Sequence, residues 1–216
     1  MTAEQWLADL KSKAKAATPG RGGSMKRPIL FNGDMVRSIL AGQKTQTRRI
    51  PSKTQQHALF CPYGQPGDRL WVRERWAADM SFDDLPPRML PPRGMPIYYH
   101  ATAQCMDYKW RPSIHMPRWA SRITLEITDV HVERVQDITN DEAIAEGAYE
   151  VRKVGDDIAH ATWTMGGQDW RYDTPRQAFA VAWASLYAAR GLGWGVNPWV
   201  WVVTFKRVEG QPCPKN

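Results

Sequence analysis

The sequence predicts an α+β domain: a small, mostly antiparallel β-barrel with attached helices and long loop insertions. Three observations carry this reading. One alternating apolar segment changes parity midway, as a strand does where it bends at a barrel corner. A few capped, amphipathic segments separate the strand-like ones. The last segment is apolar on both faces, which suits a central, buried strand. No internal repeat is present.

In chain order, residues 1-24 read as an N-terminal appendage. Thr2 and Gln5 can form a capping box for a helix to Ala17, and Thr18-Pro19-Gly20-Arg21-Gly22-Gly23-Ser24 has linker composition. Residues 25-210 are the predicted domain and 211-216 a tail. Pro28 to Phe31 is a short strand. Asp34 to Leu40 is a helix with Met35, Val36, Ile39 and Leu40 on one face, ended by Gly42. After the turn Gly64-Gln65-Pro66-Gly67-Asp68, Arg69 to Trp76 alternates as a strand. Insertions are expected at about 77-120 and 150-173; the first is Pro-rich, with a short strand at Ile97 to Ala101.

Ser121 to Val135 is the clearest strand region. Ile123, Leu125 and Ile127 share one parity and Val130 and Val132 the other, so a bulge or bend is expected near Thr128-Asp129. Thr139-Asn140-Asp141-Glu142 is a capping box with Ile138 and Ala143 as its staple, and Gly147 ends that helix. Thr174-Pro175 caps a further helix whose Phe179, Trp183, Leu186 and Tyr187 form a core-facing stripe. Pro198 to Val208 is the final strand.

Composition narrows the function. Net charge is +7, favouring an anionic partner, with nucleic acid first. Residues 1-27 carry six cations against Glu4 and Asp9, a net of +4, leaving +3 for the rest. Eleven Trp residues provide core and candidate stacking surfaces. Cys61, Cys105 and Cys213 are scattered, which fits a reducing cytoplasm and neither a disulfide framework nor a structural zinc site. His57 and Cys61 at i and i+4 are only two ligands, so no metal and no cofactor is expected. No apolar run reaches membrane-span length, so no membrane partner is expected either.

The stretch densest in chemistry is Gly42-Gln43-Lys44-Thr45-Gln46-Thr47-Arg48-Arg49, with one amine, two hydroxyls and two guanidiniums in six residues. Helix, then Gly-x-Lys-Thr-x-Thr-x-Arg, then Gly67-Asp68 opening a strand, resembles an ASCH domain, a PUA-like barrel associated with RNA. The segment Asp137-Ile138-Thr139 to Glu146-Gly147 and the strand Trp199 to Phe205 fit the same layout, so the resemblance covers roughly 28 to 76 and 121 to 208. Cys61-Pro62-Tyr63-Gly64 and Ile114-His115-Met116-Pro117-Arg118-Trp119 are similar to the long form of phage and prophage ASCH proteins. One ASCH branch, the bacterial acetylcytidine amidohydrolases, uses a Lys, a Thr and a Glu. Carried over by motif, these imply Lys44, Thr47 and Glu146.

Three functions compete. The resemblance implies a metal-independent hydrolase of a modified nucleoside or RNA, with Thr47 as nucleophile, Lys44 as base and Glu146 orienting and protonating. The second is a non-catalytic RNA-binding module, with Arg48, Arg49, Arg73 and Arg118 on phosphates and Trp71 and Trp76 on bases. The third is a metal-dependent ribonuclease, although no carboxylate cluster is evident in the sequence. A regular strand places Lys44 and Thr47 on opposite faces, so catalysis requires irregular backbone there.

Overall fold

In the computed structural model of the chain, the described residues are 26–51, 61–103, 107–151, 162–166 and 171–208. The expected N-terminal helix, the linker, the tail, His57, and much of the second insertion lie outside them.

The centre is a five-stranded sheet of β1 (Lys26–Leu30), β2 (Gln46–Arg49), β3 (Arg69–Arg73), β6 (Thr124–Arg134) and β9 (Trp199–Arg207), in the order β1-β3-β6-β9-β2. Only the β1–β3 pair is parallel. Two small hairpins accompany it: β4 (Trp76–Ala78) with β5 (Ile97–Tyr99), and β7 (Tyr149–Val151) with β8 (Thr162–Thr164). The helices are α1 (Gly33–Leu40), α2 (Asn140–Ala145) and α3 (Pro175–Tyr187). The class is α+β with a mostly antiparallel sheet, as the sequence predicts. The edge strands β1 and β2 approach each other, with Arg49 Nη2 donating to Leu30 O at 2.7 Å.

The parity change in β6 is a bulge. Ile127 pairs with Phe205 and Asp129 with Thr204, leaving Thr128 as the extra residue. Ile123, Leu125 and Ile127 therefore reach the same core as Val130 and Val132. Strand β9 has both faces covered. Trp201, Val203 and Phe205 join the core enclosed by the sheet with Ile29, Val36, Leu70 and Val72. Val200 and Val202 face a second core made with Ile138, Ala143, Phe179 and Trp183 of the α2 and α3 regions.

Capping follows the sequence. The Thr139 hydroxyl accepts from Glu142 N while Glu142 accepts from Thr139 N. Thr174 accepts from Gln177 N with Pro175 in the first turn of α3. The first insertion has a core of its own, where Trp76, Ala78, Leu90, Met95, Tyr99 and Met116 pack together.

Candidate functional site

Lys44 is held ahead of β2 by a tight turn. Gly42 has φ +75°, and the backbone N–H groups of Gln43 and Lys44 both donate to Ser38 O, at 2.9 and 3.0 Å. The strand begins only at Gln46, so alternation does not dictate the direction of the Lys44 side chain.

Glu146 arrives from the other side at the end of α2. Gly147 N–H donates to Ile144 O and Ala148 N–H to Ala143 O, closing the helix in a Schellman arrangement. Gly147 has φ +107°, and a Cβ there would stand 3.5 Å from Ser38 Cβ and Oγ and 3.8 Å from Lys44 Cβ. A side chain at this position is strained by the backbone, while its Cβ would meet the turn that carries Lys44 at ordinary contact distance. Thr45 N–H donates to Ala145 O at 2.8 Å, tying the end of α2 to β2.

The two charges meet inside the protein. Lys44 and Glu146 are 2% and 3% exposed. Lys44 Nζ donates to Glu146 Oε2 at 2.7 Å, Glu146 O at 2.6 Å and Gln46 O at 2.8 Å, so an ammonium there has a partner for each hydrogen. Burial holds the Lys44 amine below its ordinary value, while the Glu146 carboxylate pulls it back up and Arg49 and Arg48 push it further down.

Arg48 is buried on the opposite face of β2, beside Val202 in register. Its Nε donates to Glu133 Oε1 at 2.7 Å and its Nη1 to Gln46 Oε1 at 2.9 Å and Glu146 Oε1 at 3.4 Å. Its Nη2 stands 3.3 Å from Glu142 Oε2 and 2.6 Å from Glu133 Oε1, both as ion pairs outside hydrogen-bond alignment. Glu146 thus spans the edge of β2, with one oxygen on Lys44 and the other on Arg48. Sequence reading missed Glu133 and assigned Glu142 only to a helix cap; Glu133 lies on a distant strand with no local signal.

A cavity of about 400 Å³ opens on this arrangement. Thr47, Arg48, Arg49 and Glu146 line one side, and Phe179, Trp183 and Tyr187 of α3 belong to the other. Its size falls in the range of roughly 300–1,000 Å³ common for small-molecule sites. Thr47 is 2% exposed and lines the cavity, and its hydroxyl makes no hydrogen bond among the described residues. Arg49 lies with its guanidinium 5.2 Å from the Phe31 ring centroid.

The other expected contacts are elsewhere. The guanidiniums of Arg73 and Arg118 stand 4.8 and 5.7 Å from the Trp71 ring, and none of the three residues lines the cavity. Arg73 also donates to Met116 O. Trp76 has no exposed surface and packs edge-on to Trp119 at the centre of the insertion core, so the expectation that it stacks on a base is corrected. The absence of an evident carboxylate cluster is corrected as well. His131, Glu133 and Glu142 bring ligand atoms within 4.8 Å of one another, although the Arg48 guanidinium occupies both carboxylates.

No protein-family model and no curated protein matches the chain. Two solved structures are similar in backbone. An ASCH domain from Lactobacillus crispatus JV V101 is 12% identical, with 95% of each chain covered and a TM-score of 0.42. Protein EF3133 from Enterococcus faecalis V583 is 9% identical, covering 95% of this chain and 89% of its own, also at a TM-score of 0.42. At these values no activity and no residue role follows from either likeness. Among the described residues no helix is long and apolar enough to cross a membrane.

Proposed function

We propose that the cavity hydrolyses the acetyl amide of a modified nucleoside of the acetylcytidine kind, free or within RNA, in the cytoplasm. One observation carries this reading: an uncommitted Thr47 hydroxyl lines a nucleoside-sized cavity beside the buried Lys44–Glu146 pair. The Gly-x-Lys-Thr-x-Thr-x-Arg resemblance supports Lys44 and Thr47, and the amidohydrolase resemblance adds Glu146 at the end of α2.

In a desolvated pair, passing one proton from Lys44 to Glu146 replaces two buried charges by an amine and a carboxylic acid. The amine takes the Thr47 hydroxyl proton as Oγ1 bonds to the acetyl carbon. As the C–N bond breaks, the Glu146 acid gives its proton to the departing exocyclic nitrogen. Acetyl-Thr47 remains. The Glu146 carboxylate then takes a proton from an attacking water, and the Lys44 ammonium returns one to Thr47 as acetate is released. Arg48 steadies Glu146 through the second carboxylate oxygen.

The test is release of cytidine from N4-acetylcytidine by the purified protein. No cytidine, under conditions in which a known amidohydrolase works, overturns the reading.

A second reading, RNA binding without catalysis, is favoured by the cationic cluster of Arg73 and Arg118 on Trp71. It requires RNA binding at low salt that weakens steeply as salt is added.

A further inference from the structure

The cations that line the cavity, Arg37, Arg48 and Arg49, and the nearby Lys44 differ in what they have left to offer. Lys44 spends all three donors on Glu146 and Gln46. Arg48 is committed to Glu133, Glu142, Glu146 and Gln46. Arg37 is paired with Asp34 and donates to Ala101 O at 3.2 Å.

Arg49 is the exception among the described residues that line the cavity. Among the described residues it makes one hydrogen bond, through Nη2 to Leu30 O, and no ion pair. Its Nε is shielded from solvent, and among the described residues neither Nε nor Nη1 has a hydrogen-bond partner. A shielded guanidinium donor without an acceptor is costly unless a ligand supplies one. The side chain is also held in place, by Leu30 O at one end and by the Phe31 ring at 5.2 Å. A fixed guanidinium with an open Nε–H on one edge and an open Nη1 on the other offers charge-assisted donors to the oxygens of a phosphate.

We infer that the ligand of this cavity carries a phosphate group held by Arg49, so that the site selects a nucleotide or an RNA phosphodiester over a free nucleoside. The inference rests on the reading of the cavity as a nucleoside site. It needs no turnover, so binding and hydrolysis test the two separately. Both carboxylates on the cavity wall, Asp34 and Glu146, already have cationic partners, which leaves the Arg49 charge uncompensated. A phosphate compensates it and fills the open donors. Of the aromatic residues that line the cavity on α3, Phe179 and Trp183 are buried in the second core and Tyr187 is partly exposed.

The experiment is titration calorimetry of the full chain with cytidine, cytidine 5′-monophosphate, cytidine 3′-monophosphate and a short oligocytidine RNA. The expected result is that at least one phosphorylated probe binds about tenfold or more tighter than cytidine, as a charge-assisted pair gives. The gap closes in Arg49→Gln and is partly kept in Arg49→Lys, which retains charge without the fork. Thermal melts of both variants show whether the fold is intact. A monophosphate that binds as tightly as the RNA assigns the site to mononucleotides; tighter RNA binding assigns it to the phosphodiester. Equal binding of cytidine and every phosphorylated probe overturns the inference, as does a gap that survives Arg49→Gln. Hydrolysis of N4-acetylcytidine with no phosphate preference leaves the proposed activity standing and removes this inference alone.

Discussion

Lys44 Nζ and the Glu146 carboxylate meet at 2.7 Å across 102 residues of chain, with both side chains withdrawn from solvent. Their contact joins the turn after α1 to the end of α2, and every chemical reading of the cavity depends on it.

Breaking this pair from one side leaves a buried charge with fewer partners. Lys44→Met and Glu146→Leu are each expected to cost about 3–5 kcal/mol in urea unfolding. The double variant is expected to cost clearly less than their sum, because each single change already removes the shared interaction. Additive losses contradict the coupling.

Thr47→Val keeps the shape of the side chain and removes a hydroxyl with no hydrogen bond among the described residues. Stability is expected to change by less than about 1 kcal/mol. Cytidine release from N4-acetylcytidine is expected to fall by about a thousandfold or more. Retained activity assigns the nucleophile elsewhere.

The Lys44 amine is lowered from its ordinary value of 10.5, chiefly by burial. The proposed steps need one proton shared by the Lys44–Glu146 pair, so kcat/KM is expected to fall as pH rises through the lowered value, on a limb lying below the ordinary lysine range. The limb is expected to vanish with turnover in Lys44→Arg, whose guanidinium does not deprotonate. For stability, the folded state binds this proton less tightly than the unfolded chain, so its contribution grows as pH rises between the lowered value and 10.5.

His131 is raised above its ordinary value of 6.5, mainly by hydrogen bonding to Glu133 and then to Asp129, while burial pulls it down. The folded state therefore holds the proton more tightly. The resulting stability is present below about 6.5 and is lost as pH rises through the folded value. Its side chain is 43% exposed, so solvent screening keeps the effect under about 1 kcal/mol. Denaturation of His131→Asn from pH 5 to 9 is expected to show a flatter profile across that window; an unchanged slope counts against the pairing.

Burial pushes the Cys61 thiol up to about 11. Native protein treated with iodoacetamide near pH 8 is expected to leave Cys61 unlabelled in peptide mass spectrometry and to label it after unfolding, since only the thiolate reacts.

Where signals are local, the sequence is legible. The bulge at Thr128 is written in the change of parity from Ile127 to Val130, the α2 cap in Thr139 and Glu142, and the buried strand in the apolar faces of Trp199 to Phe205. The resemblance implies Lys44, Thr47 and Glu146; in the fold Lys44 meets Glu146, and Thr47 and Glu146 line the cavity. It did not show that Arg48 is spent on Glu133 and Glu142, because strand β6 and helix α2 reach β2 only through the folded sheet. Trp76 was misread for the same reason: a tryptophan after a strand looks alike in sequence whether it faces solvent or an insertion core.

By itself, then, the sequence determined the α+β class, the bends and caps of its elements, and the segment densest in polar functional groups, since each depends on neighbours a few residues apart. Tertiary structure alone decided which charges at the cavity are already paired and that Arg49, among the described residues lining it, still has donors to give. Pairing is set by distances between residues far apart in the chain, and only packing brings those within a hydrogen bond.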